Sequence, residues 1–208
     1  MPVEIEHSLG AAERGLLQVL THRVRLLTLP QIARTWGALQ TIKQLRRLEG
    51  RGLLVSFAAV IHPELSLQRP VASWRIGEQA PDFGAVSYAL RSRWNQAGVS
   101  TPCVIASRAA GRMFGGHGGR FPRESEETHD VHLAGVYLRL LKADPRLASS
   151  WIHEEEIRAE RESRRGKLPD AVLKSTGKII EFGGAYKKAK LISFHEYCRA
   201  SGQEYEVW

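Results

Sequence analysis

The chain has 208 residues and a formal net charge of +8 at pH 7, from 30 Lys and Arg against 22 Asp and Glu. Its length allows one large domain or two small ones, and its 43% hydrophobic and 25% charged residues exclude a disordered chain. No apolar run approaches the roughly 18–20 residues that span a bilayer, which excludes a membrane protein. The acidic N-terminal segment lacks a signal-peptide core and only two cysteines occur, so we expect a cytoplasmic protein with reduced thiols.

The first third of the chain has the pattern of three helices. Residues 11–24 place an apolar set on one side of a helix, namely Leu16, Leu17, Leu20 and Val24. In the next segment, Thr28 and Gln31 have the spacing of a capping box, and Pro30 suits the first turn of a helix. We therefore expect a second, short helix that ends at Gly37.

The third helix, ALQTIKQLRRLEGRG, carries a basic stripe. The apolar positions that we expect to face the core are Leu39, Ile42, Leu45 and Leu48. A second set recurs at i, i+3, i+4, i+7 and i+11, the repeat of one helical stripe, and consists of Gln40, Lys43, Gln44, Arg47 and Arg51. Gln and Arg hydrogen-bond the edges of adenine and guanine, and Lys and Arg contact phosphate, so the stripe predicts a DNA-binding face. The alternative is an ordinary solvated surface.

Two β-type runs follow the third helix. Residues 53–60 (LLVSFAAV) and 71–77 (VASWRIG) are joined by a loop, and three helices followed by a hairpin are the arrangement of a winged helix-turn-helix. We therefore predict a DNA-binding domain over residues 9–80, with Arg69 and Arg75 on the wing as further phosphate contacts. A winged helix that binds protein instead of DNA is the other interpretation.

The middle of the chain predicts a connector and a loop. Residues 82–97 have a helical pattern that ends at Gly98, and we assign residues 81–100 as a connector helix between two domains. The segment GRMFGGHGGRFPRESEE contains five glycines and predicts a mobile loop. It lacks the GK[ST] ending of a P-loop, so we do not expect a nucleotide site. Arginines in this loop that are available to DNA are Arg112, Arg120 and Arg123.

The C-terminal half has the element order αβββαβ. The segment THDVHLAGVYLRLLKAD predicts a helix, three strands follow in LASSWIHEE, LPDAVLK and KIIEFGG, and a second helix and a final strand follow in AYKKAKLISFHEYCRAS and EYEVW. The second helix has an apolar side formed by Leu191, Phe194, His195 and Cys198. This order is the core of the restriction-endonuclease-like, PD-(D/E)xK fold, which we expect over residues 101–208. The predicted class is therefore α+β or α/β, with a winged helix-turn-helix followed by this αβββαβ domain.

Two acids stand at the strand positions where such a nuclease holds its metal. Asp170 precedes one strand and Glu181 lies on the next, and their carboxylates could hold Mg²⁺ or Mn²⁺, which activates water and stabilises charge at phosphorus. Asp130, on the preceding helix, is a third candidate ligand. The fold also needs a lysine two residues after the glutamate, and this chain has Gly183 there.

The missing lysine leaves two interpretations. In an active nuclease a displaced lysine completes a catalytic set of Asp170, Glu181 and Lys187. Other lysines that could take this role are Lys167, Lys188 and Lys190. In a degenerate domain that keeps only the shape, the lysines at 187, 188 and 190 form a basic patch for the DNA backbone. The loss of the lysine favours the degenerate domain, so the sequence leans against an enzyme.

The chain from about residue 10 onward resembles the replication-relaxation family of plasmid and conjugative-element proteins. The resemblance rests on a winged helix followed by THDVHLAGVYLRLL and LPDAVL…KIIEFGG. It implies double-stranded DNA binding in replication, mobilisation or transcription regulation, together with nucleoid or plasmid association. It also implies a relaxase or another replication or transfer protein as a partner. DNA binding of this kind needs no cofactor.

Three functions are therefore open. The first, which we favour, is a DNA-binding accessory factor or regulator of a mobile element with an inactive nuclease-like domain. The second is a Mg²⁺-dependent DNA nickase or endonuclease that uses Asp170 and Glu181. The third is a protein scaffold in a relaxosome-like or repressor complex, in which a homodimer would match a two-fold operator.

Overall fold

The computed structural model describes residues 9–160 and 168–208 and, within them, all side chains except those of residues 38–41 and 160. The fold is of the mixed α+β class, as predicted, and forms two compact units. The first unit is Met1–Pro63 with Gly98–Leu138, and the second is Glu64–Ala97 with Arg139–Trp208. The chain therefore passes between the units three times. None of the helices in the described part of the chain is both long enough and apolar enough to cross a membrane.

Helices and strands are interspersed along the described part of the chain. Up to residue 114 they are α1 (Ala11–His22), β1 (Leu26–Thr28), α2 (Leu29–Trp36), α3 (Ala38–Gly50), β2 (Leu54–Ile61), β3 (Ala72–Trp74), α4 (Phe83–Ser92), β4 (Val99–Ala106) and α5 (Arg108–Phe114). The later elements are α6 (Glu124–Ala143), α7 (Pro145–Ser149), β5 (Trp151–His153), α8 (Glu154–Glu160), β6 (Ala171–Leu173), β7 (Lys178–Glu181), α9 (Lys188–Ala200) and β8 (Tyr205–Val207).

The first unit is built around a three-stranded antiparallel sheet in the order β1-β4-β2. Strand β4 is central because Cys103–Ala106 is a continuous buried run, which suits a strand with neighbours on both sides. Strand β2 pairs with β4 along its whole length, from Leu54 opposite Ala106 to Ile61 opposite Val99. Because Ile61 and Val99 are paired, the chain leaves and re-enters this unit at adjacent positions.

The first two helices form as the sequence predicts. In α2, the Thr28 hydroxyl accepts a hydrogen bond from the Gln31 backbone N–H (3.2 Å), and the Gln31 side-chain oxygen accepts one from the Thr28 N–H (3.0 Å). This pair of bonds confirms the predicted capping box. Gly37 ends the helix with φ of 99°, a conformation that favours glycine. The apolar set predicted for α1 is buried.

Helix α3 is rotated relative to the prediction. Leu45 and Leu48 are buried as expected, but Ile42 is 60% exposed, so its predicted core position is wrong. On a helical wheel, the side of α3 that faces the core is centred between Leu45 and Leu48. Ile42 lies about 60° from Leu45 on that wheel, on the side away from Leu48. Periodicity alone admits all three leucine and isoleucine positions on one side. The predicted core residue Leu39 is among the residues whose side chains are not described.

The predicted hairpin between residues 53–60 and 71–77 is wrong. The partner of β2 is β4, and β3 instead pairs with β8 in the second unit. Strand β3 pairs with β8 because Trp74 is buried in the core of the second unit, where it stacks on Tyr205 with 5.8 Å between ring centroids. The boundaries predicted at residues 80 and 100 therefore differ from those of the two observed units, since β4 belongs to the first unit and β3 to the second.

The second unit contains a five-stranded sheet in the order β3-β8-β7-β6-β5. Strands β5, β6 and β7 form an antiparallel meander, and β7 pairs in parallel with β8 through the crossover helix α9. The strands and the helix predicted for the C-terminal half are all present in their predicted order. The four residues predicted on the apolar side of α9 are buried, which confirms that assignment.

Helix α4 is part of the core of the second unit. Leu90 is fully buried and, with Val86, packs in a cluster that contains Leu191 and Val207. Asp82 begins the helix, because its carboxylate accepts hydrogen bonds from the backbone N–H groups of residues 84 and 85. The assignment of residues 81–100 as a connector helix is therefore wrong: the helix ends at Ser92, and β4 begins at Val99.

The glycine-rich segment is tied to the first unit by hydrogen bonds. The His117 N–H donates to the Thr21 carbonyl at 2.8 Å, and the Gly119 N–H donates to the Ala106 carbonyl at 2.7 Å. A Cβ added to Gly116 or Gly118 would lie 2.4 or 2.2 Å from a backbone oxygen. These glycines are therefore required for close packing, which corrects their interpretation as a mobile loop.

Candidate functional site

The outer face of α3 is cationic. Lys43 and Arg46 are both exposed. On a helical wheel Lys43 lies about 170° from the buried direction set by Leu45 and Leu48, with Arg46 and Arg47 about 40–60° to either side of it. Arg46 is absent from the predicted stripe, because spacing along the sequence does not define the buried direction of the helix. Gln44 is half-buried. Gln40 lies among the side chains that are not described.

Arg47 lies on this outer face and also contacts a buried residue of the first unit. Its side chain is 49% exposed, and its Nε lies 3.6 Å from Oε1 of Glu13, whose side chain is only 3% exposed. The other carboxylate oxygen of Glu13 accepts a hydrogen bond from the Gly10 N–H at 2.9 Å. Removing Arg47 would therefore take a cation from a buried carboxylate as well as from the surface. Arg51, the last residue of the predicted stripe, is the C-cap of α3.

Positive charge is concentrated in the first unit. Its described residues include 12 bases and 6 acids, whereas those of the second unit include 14 bases and 13 acids. The bases of the first unit are Arg14, Arg23, Arg25, Arg34, Lys43, Arg46, Arg47, Arg51, Arg108, Arg112, Arg120 and Arg123. The acids are Glu13, Glu49, Glu124, Glu126, Glu127 and Asp130. A phosphate-binding surface is therefore more plausible on the first unit than on the second.

The two predicted wing arginines do not lie on a wing. Arg69 and Arg75 belong to the second unit, on either side of β3, which pairs with β8. Both side chains are exposed, and the Arg75 N–H donates to the Glu78 carboxylate at 3.1 Å. Their assignment as phosphate contacts of a hairpin with β2 is corrected accordingly.

The second unit brings the two predicted acids to one end of its sheet. Asp170 directly precedes β6 and Glu181 ends β7, and the two strands pair with Ala171 opposite Ile180. The Asp170 carboxylate accepts a hydrogen bond from the Phe182 N–H at 2.7 Å, and the Glu181 carboxylate accepts one from the Tyr186 hydroxyl at 2.7 Å. Each carboxylate therefore already has one oxygen bound to a protein donor.

Tyr186 is the site residue that sequence reasoning missed. Burial raises the pKa of its hydroxyl far above the usual value, and the negative charges of Glu181 and Asp170 raise it further. The hydroxyl therefore stays protonated and donates to Glu181. No spacing rule marks this tyrosine, because it follows the strand at a turn and reaches back to the acid.

The position of the missing lysine is closed. A Cβ on Gly183 would lie 2.7 Å from Val207 Cγ1 and 2.9 Å from Leu90 Cδ1. Glu181, two residues earlier, has no exposed surface. A lysine at position 183 therefore requires the side chains of Leu90 and Val207 to shift, and substrate phosphate has no access to the Glu181 carboxylate in this conformation.

An arginine lies next to this closed position. Arg93 donates through Nη2 to the Gly183 carbonyl at 3.3 Å and to the Trp208 carbonyl at 3.0 Å. Its guanidinium also lies 4.8 Å from the Phe182 ring centroid. Burial lowers the pKa of Arg93 to about 10, so it remains charged at neutral pH. Arg93 therefore links the residues that follow β7 and β8 through hydrogen bonds to their backbone carbonyl groups.

The predicted lysines lie at the start of α9 and are exposed. Lys187 is the N-cap residue of α9 and Lys188 its first residue. Lys190 Nζ lies 3.4 Å from the ring centroid of Tyr186, so Lys190 contacts the residue that binds Glu181. The structure thus assigns Lys190, rather than the predicted Lys187, a contact beside the acidic pair. Lys167 falls outside the described residues.

Asp130, the predicted third metal ligand, belongs to the first unit. Its carboxylate lies 2.5 Å from Nη1 of Arg25, and Glu126 lies 3.3 Å from the same nitrogen. These side chains join the turn before β1 to helix α6. The ion pair gives Asp130 a structural role within the first unit, whereas Asp170 and Glu181 belong to the second unit.

No protein-family model, curated protein or solved structure matches this chain. A function must therefore be inferred from the residues of the two units.

Proposed function

We propose that the first unit is a winged helix that binds double-stranded DNA with α3 in the major groove. The support is the order of its elements, which are a helix, a strand, two helices and then β2 and β4, with β1 completing the sheet. In this interpretation α2 and α3 form the helix-turn-helix, and β2 and β4 form the stem of the wing. The segment with β3 and α4 is inserted in the chain between β2 and β4.

The observation that carries the proposal is the outer face of α3. Lys43 and Arg46 project from the side opposite the buried Leu45 and Leu48, so neither cation is needed to dock the helix. Ile42 lies beside them and is 60% exposed. Cations that contact phosphate or guanine, together with an apolar side chain that fits a thymine methyl group, are the usual contents of a DNA-reading helix. The charge excess of the first unit agrees with this assignment.

For the second unit we propose a nuclease-like domain without nuclease activity. Its strand order and the convergence of Asp170 and Glu181 fit a PD-(D/E)xK ancestry. The donors that would hold Mg²⁺ or Mn²⁺ fit poorly, because each acid is bound by a protein donor and Glu181 is buried. The side chains of Leu90 and Val207 occupy the space that the third catalytic group would need at position 183. The unit then serves as a folded module rather than an enzyme.

The DNA-binding proposal is tested with fluorescent duplexes and the full chain. We expect the wild-type protein to bind duplex DNA with an affinity that falls steeply as salt increases. Lys43→Ala/Arg46→Ala should weaken binding by about tenfold or more, from the loss of two charge-assisted contacts. The matched control, Lys142→Ala/Arg146→Ala, removes two exposed cations of the second unit and should bind like wild type. Equal affinity of both double variants would overturn the assignment of α3.

The nickase alternative has a direct test on supercoiled plasmid. With Mg²⁺ or Mn²⁺ we expect the plasmid to stay intact while its gel mobility shifts on protein binding. Nicking that is lost in both Asp170→Ala and Glu181→Ala would establish the enzyme instead. A role in plasmid replication, mobilisation or regulation, a homodimer, a relaxase partner and the scaffold function stay predictions that rest on the sequence and its family resemblance.

A further inference from the structure

Helix α5 is joined directly to the end of α3. The Ser107 hydroxyl donates to the Gly52 carbonyl at 2.6 Å, and the Ser107 N–H donates to the Leu53 carbonyl at 3.0 Å. Arg51 immediately precedes Gly52 and caps α3, and Arg108 immediately follows Ser107 and begins α5. The two hydrogen bonds therefore bring cationic residues of two helices to the same point of the first unit.

Close-packed glycines fix α5 at this point. A Cβ on Gly118 would lie 2.2 Å from the Ser107 carbonyl oxygen, and one on Gly111 would lie 2.9 Å from the backbone of His117. The Arg108 side chain occupies the space beside Gly119, since a Cβ there would lie 2.2 Å from Arg108 Cγ. The stem of Arg108 thus packs directly against the backbone of Gly119.

The chain segment that contains α5 has only basic residues among its charged ones. Residues 98–123 contain four arginines and no Asp or Glu, and these arginines are Arg108, Arg112, Arg120 and Arg123. All four are exposed, and Arg120 also lies 3.5 Å from the Glu126 carboxylate. Arg108 and Arg112 are four residues apart, so they project from one face of α5. The cationic face formed by Arg108 and Arg112 is complementary to a regular polyanion.

We propose that α5 is a second contact with the same duplex, in which Arg108 and Arg112 bind backbone phosphates next to the groove that receives α3. This inference rests on the proposed DNA-binding function and extends it. Arg51 at the end of α3 would continue the row of cations between the two helices. Phosphate contacts fix orientation and add affinity without reading bases, so α5 lengthens the contact along the duplex and contributes no sequence preference.

The test uses the full chain with Arg108→Gln/Arg112→Gln, which keeps most of each side-chain stem and removes both charges. Duplex affinity is measured by fluorescence anisotropy from about 50 to 200 mM salt. We expect weaker binding to every duplex sequence and a slope of log K against log salt that is smaller by about 2, since each phosphate contact contributes about 0.9. The matched control is Arg91→Gln/Arg146→Gln, two exposed arginines of the second unit, and should keep the wild-type slope.

The outcomes separate this inference from the function on which it rests. A folded α5 variant with wild-type affinity and slope, beside an α3 variant with weakened binding, would overturn the α5 contact and keep the DNA-binding function. A wild-type protein that binds no duplex would overturn both. Arg108→Lys/Arg112→Lys restores the charges and should recover the salt slope. If it does not, the glutamine variant acts through the packing of α5, and the proposal is wrong.

Discussion

Leu90 fills the space that a side chain on Gly183 would need, because a Cβ at position 183 would lie 2.9 Å from Leu90 Cδ1. Gly183 stands where a PD-(D/E)xK nuclease carries its lysine. Leu90 comes from α4, a helix encoded almost a hundred residues earlier within the segment that leaves the first unit after β2. A side chain at position 183 would therefore have to displace Leu90.

Substitution of Gly183 by alanine tests this closure. We expect Gly183→Ala to reduce the free energy of unfolding by about 1–3 kcal/mol, because an added methyl group overpacks a filled core. Gly184→Ala is the matched control, since the nearest atom to its Cβ, Tyr186 Cε1, is 4.0 Å away. Urea unfolding of the two variants gives the comparison. Equal stability of both variants would show that position 183 has room for a side chain.

The hydrogen bond from Tyr186 to Glu181 gives a second prediction. Tyr186→Phe leaves a buried carboxylate oxygen without its hydroxyl donor, which should cost about 1–3 kcal/mol of unfolding free energy. Tyr88→Phe removes the hydroxyl of a side chain that is 77% exposed and should change stability little. Denaturation at neutral pH measures both. A neutral effect of Tyr186→Phe would mean that Glu181 is satisfied without the tyrosine.

The same tyrosine predicts a dependence on alkaline pH. Burial, followed by the charges of Glu181 and Asp170, raises the folded-state pKa of Tyr186 above the ordinary value of 10.0. At pH above 10 the unfolded chain ionises at this residue while the folded chain does not, so its contribution is full below pH 10 and decreases above it. The stability difference between wild type and Tyr186→Phe should therefore shrink above pH 10. A constant difference would contradict the shift.

The orientation of α3 gives a fourth prediction. Ile42→Ala should change the unfolding free energy by no more than about 0.5 kcal/mol, because the side chain is 60% exposed. Leu45→Ala, which truncates a side chain that is 4% exposed, should cost about 2–5 kcal/mol. Thermal unfolding distinguishes the two variants. If Ile42→Ala were the more destabilising change, the helix would be docked as its periodicity predicts, and the outer face would have to be assigned again.

Local patterns in the sequence predicted local structure well. The Thr28 and Gln31 capping box, the C-cap at Gly37 and the buried side of α9 all form as expected. Each of these depends on residues within one or two turns of a helix, so spacing along the chain is enough. The convergence of Asp170 and Glu181 was also predictable, because neighbouring antiparallel strands bring their adjoining ends together.

Non-local packing accounts for what sequence reasoning missed. Strand β2 could pair with either of two later β-type runs, and spacing favoured the nearer one over its true partner β4. Helix α3 could dock with its apolar side in more than one rotation, and the choice depends on what α3 packs against. The glycine pattern of residues 111–119 predicts flexibility. These glycines are instead needed because backbone atoms of Thr21 and Ser107 pack closely against them, and no local sequence pattern shows that packing.

The interrupted first unit gives the last prediction. A fragment of residues 9–80 lacks β4, the central strand of the three-stranded sheet, and should be unfolded by circular dichroism. Because Ile61 pairs with Val99, the two ends of the gap in the first unit are adjacent, and a two-residue Asn-Gly turn can bridge them. Residues 9–61 joined through this turn to residues 99–138 should fold and bind duplex DNA. A folded 9–80 fragment would instead show that β2 has a partner within the N-terminal segment, as the sequence pattern predicts.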